Sequence, residues 1–329
     1  NMAIDIDALG RAVITWTQSG GPDIGTYLQV VTPDRQRVHP TPVRVNSGIL
    51  AGYFYDSCIN ANPDGSVTVT WSDTTLGDEN LWAQRILSDG SLAWASSFRI
   101  TPVAPSYFIG MDLIRAADQN CVIYAIHDGT QYVIYRAMFN DSGTFTEFPQ
   151  PISNGYEYCS IPAAATLGND VYVVWGGMDG GYVQIYGQKL VDGTPVWIDR
   201  LFSATSYSDV SRLDLISTGS NRLAYAFLAY QGVNEYVLSQ EFNTNGTTSY
   251  SSEQRMFSSE PKVYTLEYGV SAQINSGEPV YWAAVNTTAD ARGGSIVSWL
   301  SNDGGGTWHP AQPGLPVVFP APGNDLRWG

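Results

Sequence analysis

The chain has 329 residues, 43% of them apolar and only 14% charged, with 16 basic against 31 acidic residues for a formal net charge of −15. No apolar run approaches the roughly 18 residues that a membrane-spanning helix needs, and a field of this sign repels nucleic acid and anionic membrane surfaces. With 33 Gly, 20 Tyr and 10 Trp, and lysine only at Lys189 and Lys262, the composition favours strands and turns.

The chain opens on "MAIDIDALG", an alternating segment that runs into a Gly turn, followed by "AVITW", "YLQVV" and "TPVRVNS". The same four pieces return as "SCINANPDG", "VTVTW", "LWAQRIL" and "SFRITP", then as "DLIRAADQN", "CVIYA", "VIYRAMF" and "PQPIS". A fourth copy reads "IPAAATLGN", "VYVVW", "IYGQKL" and "RLFSAT", and a fifth "RLDLISTGSN", "LAYAF", "YVLSQEF" and "QRMFSS". A sixth is "GVSAQINSGE", "VYWAA", "SIVSWL" and "LPVVF". Period-two alternation marks each piece as a strand, and the Gly or Asn closing each first piece tolerates the positive φ of a tight hairpin.

The second-piece anchors Trp16, Trp71, Ala125, Trp175, Phe227 and Ala283 fall about 50 to 56 residues apart. Tandem four-stranded antiparallel units, each too thin to bury both faces alone, predict an all-β, six-bladed β-propeller in a single domain, 1–329. The blades are expected at about 1–47, 54–102, 109–153, 159–205, 211–258 and 268–319; hairpin pairs in a sandwich or solenoid are the other arrangement. The tail "FPAPGNDLRWG" is like the connection after blade two. It reads either as a linker in a longer or tandem protein, as an excised segment would show, or as a simple terminal tail. With no signal peptide ahead of the first strand, the chain is expected to be a mature product or an excised domain.

Chemistry-bearing residues are sparse. Cys58, Cys121 and Cys159 show no Cys-x-x-Cys spacing and read as buried thiols, with one disulfide plus a free thiol as the alternative. His39, His127 and His309 fall in different blades, so no metal site and no cofactor are expected. Asp5, Asp7, Asn60, Asn62 and Asp64 have a faint calcium-loop look, but they stand where hairpins call for Asp and Asn. Arg44, Arg99, Arg200 and Arg255 recur in fourth strands, as guards against edge-to-edge pairing.

The stretch "SNDGGGTW" falls between the third and fourth strands of blade six. Ser301 and Asp303 can bond nearby amides, Gly305 and its neighbours supply unusual φ, and Thr307 and Trp308 complete the turn. It resembles the Asp-box of sialidase-like propellers, which implies a folding element at the blade periphery, away from the catalytic face. More broadly, blade two (Trp71, Asp73, Ala83, Gln84, Arg85, Asp89, Gly90) and blade four (Trp175, Gly187, Gln188, Lys189, Asp192, Gly193) resemble secreted and cell-surface bacterial propeller repeat proteins. That resemblance implies an extracellular or cell-surface location and a binding or structural module.

In a propeller the fourth-to-first connections and second-to-third loops share one face. Tyr53, Phe54, Tyr107, Phe108, Tyr156, Tyr158, Tyr207 and Tyr264 recur there, beside Asp78, Glu79 and Asp179, with Asp73 among the further acidic residues of those loops. Flat aromatic faces with nearby acids suit a neutral glycan or a cationic protein partner; plugging the seams between blades is the structural alternative. The expectation is therefore a non-catalytic recognition or structural module that binds carbohydrate or protein, with no catalytic residue assigned and no nucleic acid or membrane span among its partners. Self-assembly and tandem neighbouring domains belong to the same reading. A propeller glycosidase of sialidase type and a purely structural subunit of a surface assembly are the alternatives.

Overall fold

The computed structural model describes residues 2–18, 23–46, 54–74, 79–101, 107–116, 118–197, 199–258, 279–285, 298–312 and 314–328. They contain strands and turns and no helix. The chain divides into two compact units, Asn1–Glu260 and Pro261–Gly329.

The first unit holds five antiparallel sheets in chain order. Sheet 1 is β1 (Met2–Ile6), β2 (Ala12–Gln18), β3 (Gly25–Val31) and β4 (Val43–Arg44). Sheet 2 is β5 (Phe54–Ala61), β6 (Val67–Asp73), β7 (Asn80–Ile86) and β8 (Phe98–Arg99). Sheet 3 is β9 (Tyr107–Ala116), β10 (Gln119–His127), β11 (Tyr132–Phe139) and β12 (Phe145–Pro151). In sheet 4 the first and fourth positions are each split: β13 (Tyr158–Cys159) and β14 (Ala163–Leu167) pair with β15 (Asp170–Asp179), while β17 (Thr194–Pro195) and β18 (Arg200–Leu201) pair with β16 (Tyr182–Val191). Sheet 5 is β19 (Asp209–Gly219), β20 (Arg222–Gln231), β21 (Asn234–Asn243) and β22 (Gln254–Ser258).

Consecutive first strands touch in the order β1, β5, β9, β14, β19. The apolar cores lie between sheets, as expected where each face is covered by a neighbour. Val13, Leu28, Ile59, Val69 and Trp71 join sheets 1 and 2, and Leu81, Trp94, Met111, Tyr124 and Phe139 join sheets 2 and 3. Ile123, Ile134, Tyr156, Val173 and Trp175 join sheets 3 and 4; Tyr172, Phe202, Leu215, Tyr225 and Phe242 join sheets 4 and 5.

The repeated third-strand glutamine has a structural cause. Gln29, Gln84, Gln188 and Gln240 are buried, and the Oε1 of each accepts the N–H of the residue that follows it. The Nε2 groups of Gln29, Gln84 and Gln240 donate to the carbonyls of His39, Trp94 and Tyr250 at 3.0, 3.1 and 3.0 Å, tying the turn after the third strand back onto its own sheet. Gln188 instead donates to Ile152 in the preceding repeat. A buried amide with both ends occupied avoids the cost of an unmade hydrogen bond. The Asp-Gly turn beside it needs its glycine: Gly90 has φ +86 and a Cβ there would meet the His39 ring at 2.9 Å.

Among the described residues of 279–328 the strand pairing differs from that expected of a sixth four-stranded blade. β23 (Val280–Ala284), the second-strand piece, pairs with β26 (Pro316–Gly323), which was expected beside the third strand. The third-strand piece β24 (Ser298–Ser301) lies between β25 (His309–Ala311) and β27 (Arg327–Trp328), so the tail read as a linker supplies strands. A physical reason is in the sequence of β26: Pro316, Pro320 and Pro322 lack N–H groups at even spacing, which strips donors from one edge of the strand. Leu300, Ala311 and Phe319 form the small core of this unit.

In the same unit residues 301–308 form a side-chain-closed turn. Ser301 Oγ donates to Asp303 Oδ1 at 2.7 Å and accepts the Gly305 N–H, while Asp303 Oδ1 accepts the Thr307 N–H at 2.8 Å. These donors pull the Asp303 carboxyl down to about 2. All three cysteines are free thiols, and burial pushes each thiol pKa upward.

Candidate functional site

The starts of the first strands occupy equivalent places. Tyr107 faces His127 across the β9–β10 pair, Tyr158 faces Met178 across β13–β15, and Asp209 faces Tyr230 across β19–β20. Antiparallel pairing with the end of a second strand brings all three to the same end of their sheets. Between them lies a cavity of about 220 Å³ lined by Tyr107, Phe108, Tyr158, Ser160, Ile161 and Ser211, among others.

Tyr107 is 56% exposed at this cavity, whereas Phe108 is buried. Tyr132 packs edge-on against Tyr158, with ring centres 5.7 Å apart, and His127 packs edge-on against Tyr132 at 4.8 Å. Burial raises the Tyr158 hydroxyl above its ordinary pKa, and the Asp209 carboxylate adds to the shift. In β19 the register shifts between Ser211 and Asp214, and the exposed Arg212 adopts φ +54. A bulge of this kind re-aims side chains at the end of a strand.

One carboxyl is bonded to the backbone of a cavity residue. Glu79, just before β7, accepts the Phe108 N–H through Oε2 at 3.2 Å. Its carboxyl is raised above the usual glutamate value, first by burial and then by the nearby charge of Asp56, against the lowering effect of the Phe108 amide. Asp73 is spent differently: it is buried, and its two oxygens accept the indole N–H groups of Trp71 and Trp82 at 3.0 and 3.1 Å. It is a clamp between indoles and not an open rim acid.

Of the residues singled out on the loop face, Tyr107, Phe108 and Tyr158 line this cavity, and Glu79 is tied to it through the Phe108 amide. Tyr156 and Tyr207 do not line it; both are buried in the cores between sheets. The Tyr156 hydroxyl donates to Asp199 Oδ2 at 2.7 Å, and burial together with that bond pushes its pKa upward. Tyr53, Asp78 and Tyr264 lie outside the described residues, as do the side chains of Phe54 and Asp179. Asp56, Tyr132, His127 and Asp209 complete the surroundings and were not anticipated. The signal that could have found Asp209 and ranked Tyr158 above Tyr156 is the two-residue step in "YEY" and "YSD": the first residue of each closes a seam and the third starts the strand.

A second cavity of about 220 Å³ lies beside Gln119, Arg136, Glu147, Asn169 and Asp192, but the buried Arg136 there is already paired with Glu147. Among the described residues no group of three or more His, Cys, Asp or Glu is placed to hold a metal ion.

No protein-family model and no curated protein matches the sequence. Solved structures do match. The K499G mutant of the NanB sialidase from Streptococcus pneumoniae has a TM-score of 0.51 at 9% identity, over 78% of this chain and 60% of that one. An exo-1,5-alpha-L-arabinanase from a bovine ruminal metagenomic library gives 0.45 at 10% identity, over 77% and 95%. The exo-beta-1,3-galactanase 1,3Gal43A from Clostridium thermocellum gives 0.46 at 11% identity, over 75% and 60%.

The shared fold is the β-propeller. The comparison stands against the expectation of a non-catalytic module that is not an enzyme, since the NanB structure that shares the fold is a sialidase. The error has a physical origin. The expectation rests on the likeness of blades two and four to propeller repeat proteins and on the scarcity of chemistry-bearing patterns, and the repeat-forming residues that carry that likeness, such as Trp71, Gln84 and Trp175, are buried core and say nothing about the connecting face. At these identities the likeness is one of fold, and the chemistry has to come from this chain's own residues. No helix among the described residues is long and apolar enough to cross a membrane.

Proposed function

We propose that this chain is a glycoside hydrolase whose sugar substrate sits in the cavity at the first-strand starts of sheets 3 to 5. The observation that carries the proposal is Glu79: a half-buried carboxyl with a raised pKa, bonded to the backbone of a cavity residue and near a second carboxylate, Asp56. Two carboxyls in unlike environments are the basic equipment of glycosidic hydrolysis. Glu79, protonated, gives its proton to the glycosidic oxygen as the bond to the anomeric carbon breaks. The carboxylates of Asp56 and Asp209 offset the positive charge that develops on the sugar, water adds its hydroxyl to the anomeric carbon, and the proton water gives up restores the Glu79 carboxyl.

Tyr107 and Tyr158 offer flat apolar faces to the sugar ring. The acidic groups Glu79, Asp56 and Asp209, within a chain of net charge −15, favour a neutral glycan over an acidic one. We read the 301–308 turn as an Asp-box, six repeats as the propeller plan, and an extracellular or cell-surface setting as the place of action. The 50 to 56 residue repeat and the scarcity of lysine support those readings.

The test is a panel of aryl glycosides, pyranosides and furanosides with sialosides included, assayed with the wild-type chain and Glu79→Gln. Hydrolysis of at least one neutral glycoside is expected, with a loss of about 100-fold or more in the variant. No turnover across the panel, or full activity in Glu79→Gln, would remove the proposal.

A further inference from the structure

The seams between neighbouring sheets are filled by a device that repeats with the turn after each third strand. The fourth residue past the positive-φ position of that turn is a ring lying on the equivalent turn of the next sheet. His39 follows Arg35 (φ +67), and a Cβ on Gly90 would meet its ring at 2.9 Å. Trp94 follows Gly90 (φ +86), and a Cβ on Gly143 would meet its indole at 3.1 Å. The third-strand residue facing the same seam stands two places past the carbonyl that takes the fourth-strand N–H. It is Leu28 in sheet 1 and Ala83 in sheet 2, both in the apolar core. Between sheets 4 and 5 the plan holds again: Trp197 packs on Tyr172 and Phe202, and the third strand has Gly187.

Between sheets 3 and 4 the filling changes. Four residues past Gly143 stands Glu147, and the third-strand residue is Arg136. The pair takes the place of the ring: a Cβ on Gly193 would meet Arg136 Nη2 at 2.8 Å and Glu147 Oε2 at 3.2 Å. Arg136 is 2% exposed, and its Nε and Nη2 both donate to Glu147 Oε1. Nη1 and Oε2 are left without a hydrogen-bond partner among the described residues. A buried ion pair stabilises a seam no better than apolar side chains of similar volume. Stability therefore does not account for it, and a local plan broken in one place points to function.

Beside the pair lies the cavity of about 220 Å³. It is at the opposite end of these sheets from the Tyr107–Tyr158 cavity, since Gln119 opens β10 and Asn169 precedes β15. Ala116, Met138, Val171 and Leu190 supply an apolar lining, and the exposed Asn169 and Asp192 border it. All of its lining comes from sheets 3 and 4 and their turns.

We propose that this cavity is a second sugar site, which holds one neutral monosaccharide unit without cleaving it. An apolar cavity of about 150 Å³ takes up a benzene ring, so there is room for one sugar ring with its hydroxyls. Arg136 Nη1 and Glu147 Oε2 present a donor and an acceptor from one pair, which suits adjacent hydroxyls that each give and take a hydrogen bond. The amides of Gln119 and Asn169 add further partners, and the apolar lining receives the C–H face of the ring. Glu147 neutralises Arg136, and the Asp192 carboxylate adds uncompensated negative charge, so phosphate and carboxylate ligands are disfavoured. The site goes beyond the chemistry assigned to Glu79 and does not depend on it.

Amide NMR spectra of the full chain, titrated with glucose, galactose, mannose and arabinose, test this. The titrations run to about 100 mM because so small a ligand binds weakly, and phosphate and acetate serve as controls. At least one sugar is expected to shift the Glu147, Asn169 and Gly193 amides saturably, and neither anion to do so. Arg136→Ala combined with Glu147→Trp installs the filling of the neighbouring seams. This variant is expected to melt at or above the wild-type temperature, to lose the sugar shifts and to keep any hydrolysis at the Glu79 cavity. Asn169→Ala changes an exposed turn residue, keeps the seam intact and is expected to weaken binding about threefold or more. No saturable shift at the seam, sugar shifts only around Tyr107 and Tyr158, a response to the anions instead, or shifts undiminished in both variants would each overturn the proposal. Each of those results would leave the reading of Glu79 untouched.

Discussion

Tyr156 and Tyr158 stand two residues apart and meet different fates. Tyr156 bridges to Tyr132, buries its ring between sheets and gives its hydroxyl to Asp199. Tyr158 starts the next sheet and turns its ring to the cavity that Tyr107 and Ser211 also line. The same split separates Tyr207, which is buried, from Asp209, which is exposed. The lesson is that residue type on a propeller's connecting face says little until register is known. A tyrosine paired with the outgoing third strand is a seam plug; one paired with the end of the second strand lines the cavity.

The widest separation between the two classes should appear in stability. Tyr207→Ala removes a ring packed edge-on against Phe227 within the core between sheets 4 and 5, and should cost about 3–5 kcal/mol in a denaturant melt. Tyr107→Ala should stay within about 0.5 kcal/mol of wild type. Equal losses would erase the distinction.

A second separation is read by pH. The Asp112 carboxyl is raised from 3.8 to about 6 by burial, with the charge of Asp214 adding to the shift. Below about pH 4 the group is neutral whether the chain is folded or not. As pH rises through the window up to about 6, the folded chain must take on a buried charge, and the stability that Asp112 contributes is lost. Melts at stepped pH should show wild type losing about 3 kcal/mol more than Asp112→Asn across that window. Parallel pH curves for the two proteins would contradict the assignment.

Smaller effects follow. Tyr156→Phe keeps the ring and removes only the bond to Asp199, so it should cost about 2 kcal/mol and leave binding at the cavity unchanged. Glycan affinity falling in step with stability would place Tyr156 at the cavity after all. Least of all, Asp303→Asn should loosen only the 301–308 turn. The Asp303 carboxyl is held down at about 2 by its donors, so its contribution is present above the ordinary aspartate range and lost as pH falls through about 2. Faster amide exchange at Gly305 and Thr307, with the five sheets of 2–258 unaffected, is the expected reading.

Much of the fold was legible because its cause is local. Alternation and Gly-bearing turns mark the strands, and spacing marks the repeats, so the five sheets of the first unit follow the sequence pattern closely. Residues 279–328 were less legible because a β-strand's partner is not written in its own alternation; β26 has the right composition for a fourth strand and pairs with β23. The repeated glutamine was visible, but its role needs the carbonyl of a turn 10 residues away, as between Gln84 and Trp94. At the candidate site, Tyr107, Phe108, Tyr158 and Glu79 were within reach of sequence because the loop face could be named. Asp56 was not, since an isolated aspartate in a turn-rich acidic chain looks like any other, and Asp209 is marked only by its place two residues past Tyr207. Asp73 misled for the opposite reason: its place beside a loop suggested exposure, and only the positions of two indoles show it buried.

The most direct test of the account is the pH dependence of kcat/KM for wild type and Glu79→Gln, measured on aryl glycosides with good and poor leaving groups. A general acid must be protonated to act, so wild-type activity should fall as pH rises through the raised Glu79 pKa. In Glu79→Gln that alkaline fall should vanish, with about a 100-fold loss on the poor leaving group and far less on the good one. An alkaline limb unchanged in the variant, or equal losses on both leaving groups, would contradict the assignment of Glu79 as the acid at this cavity.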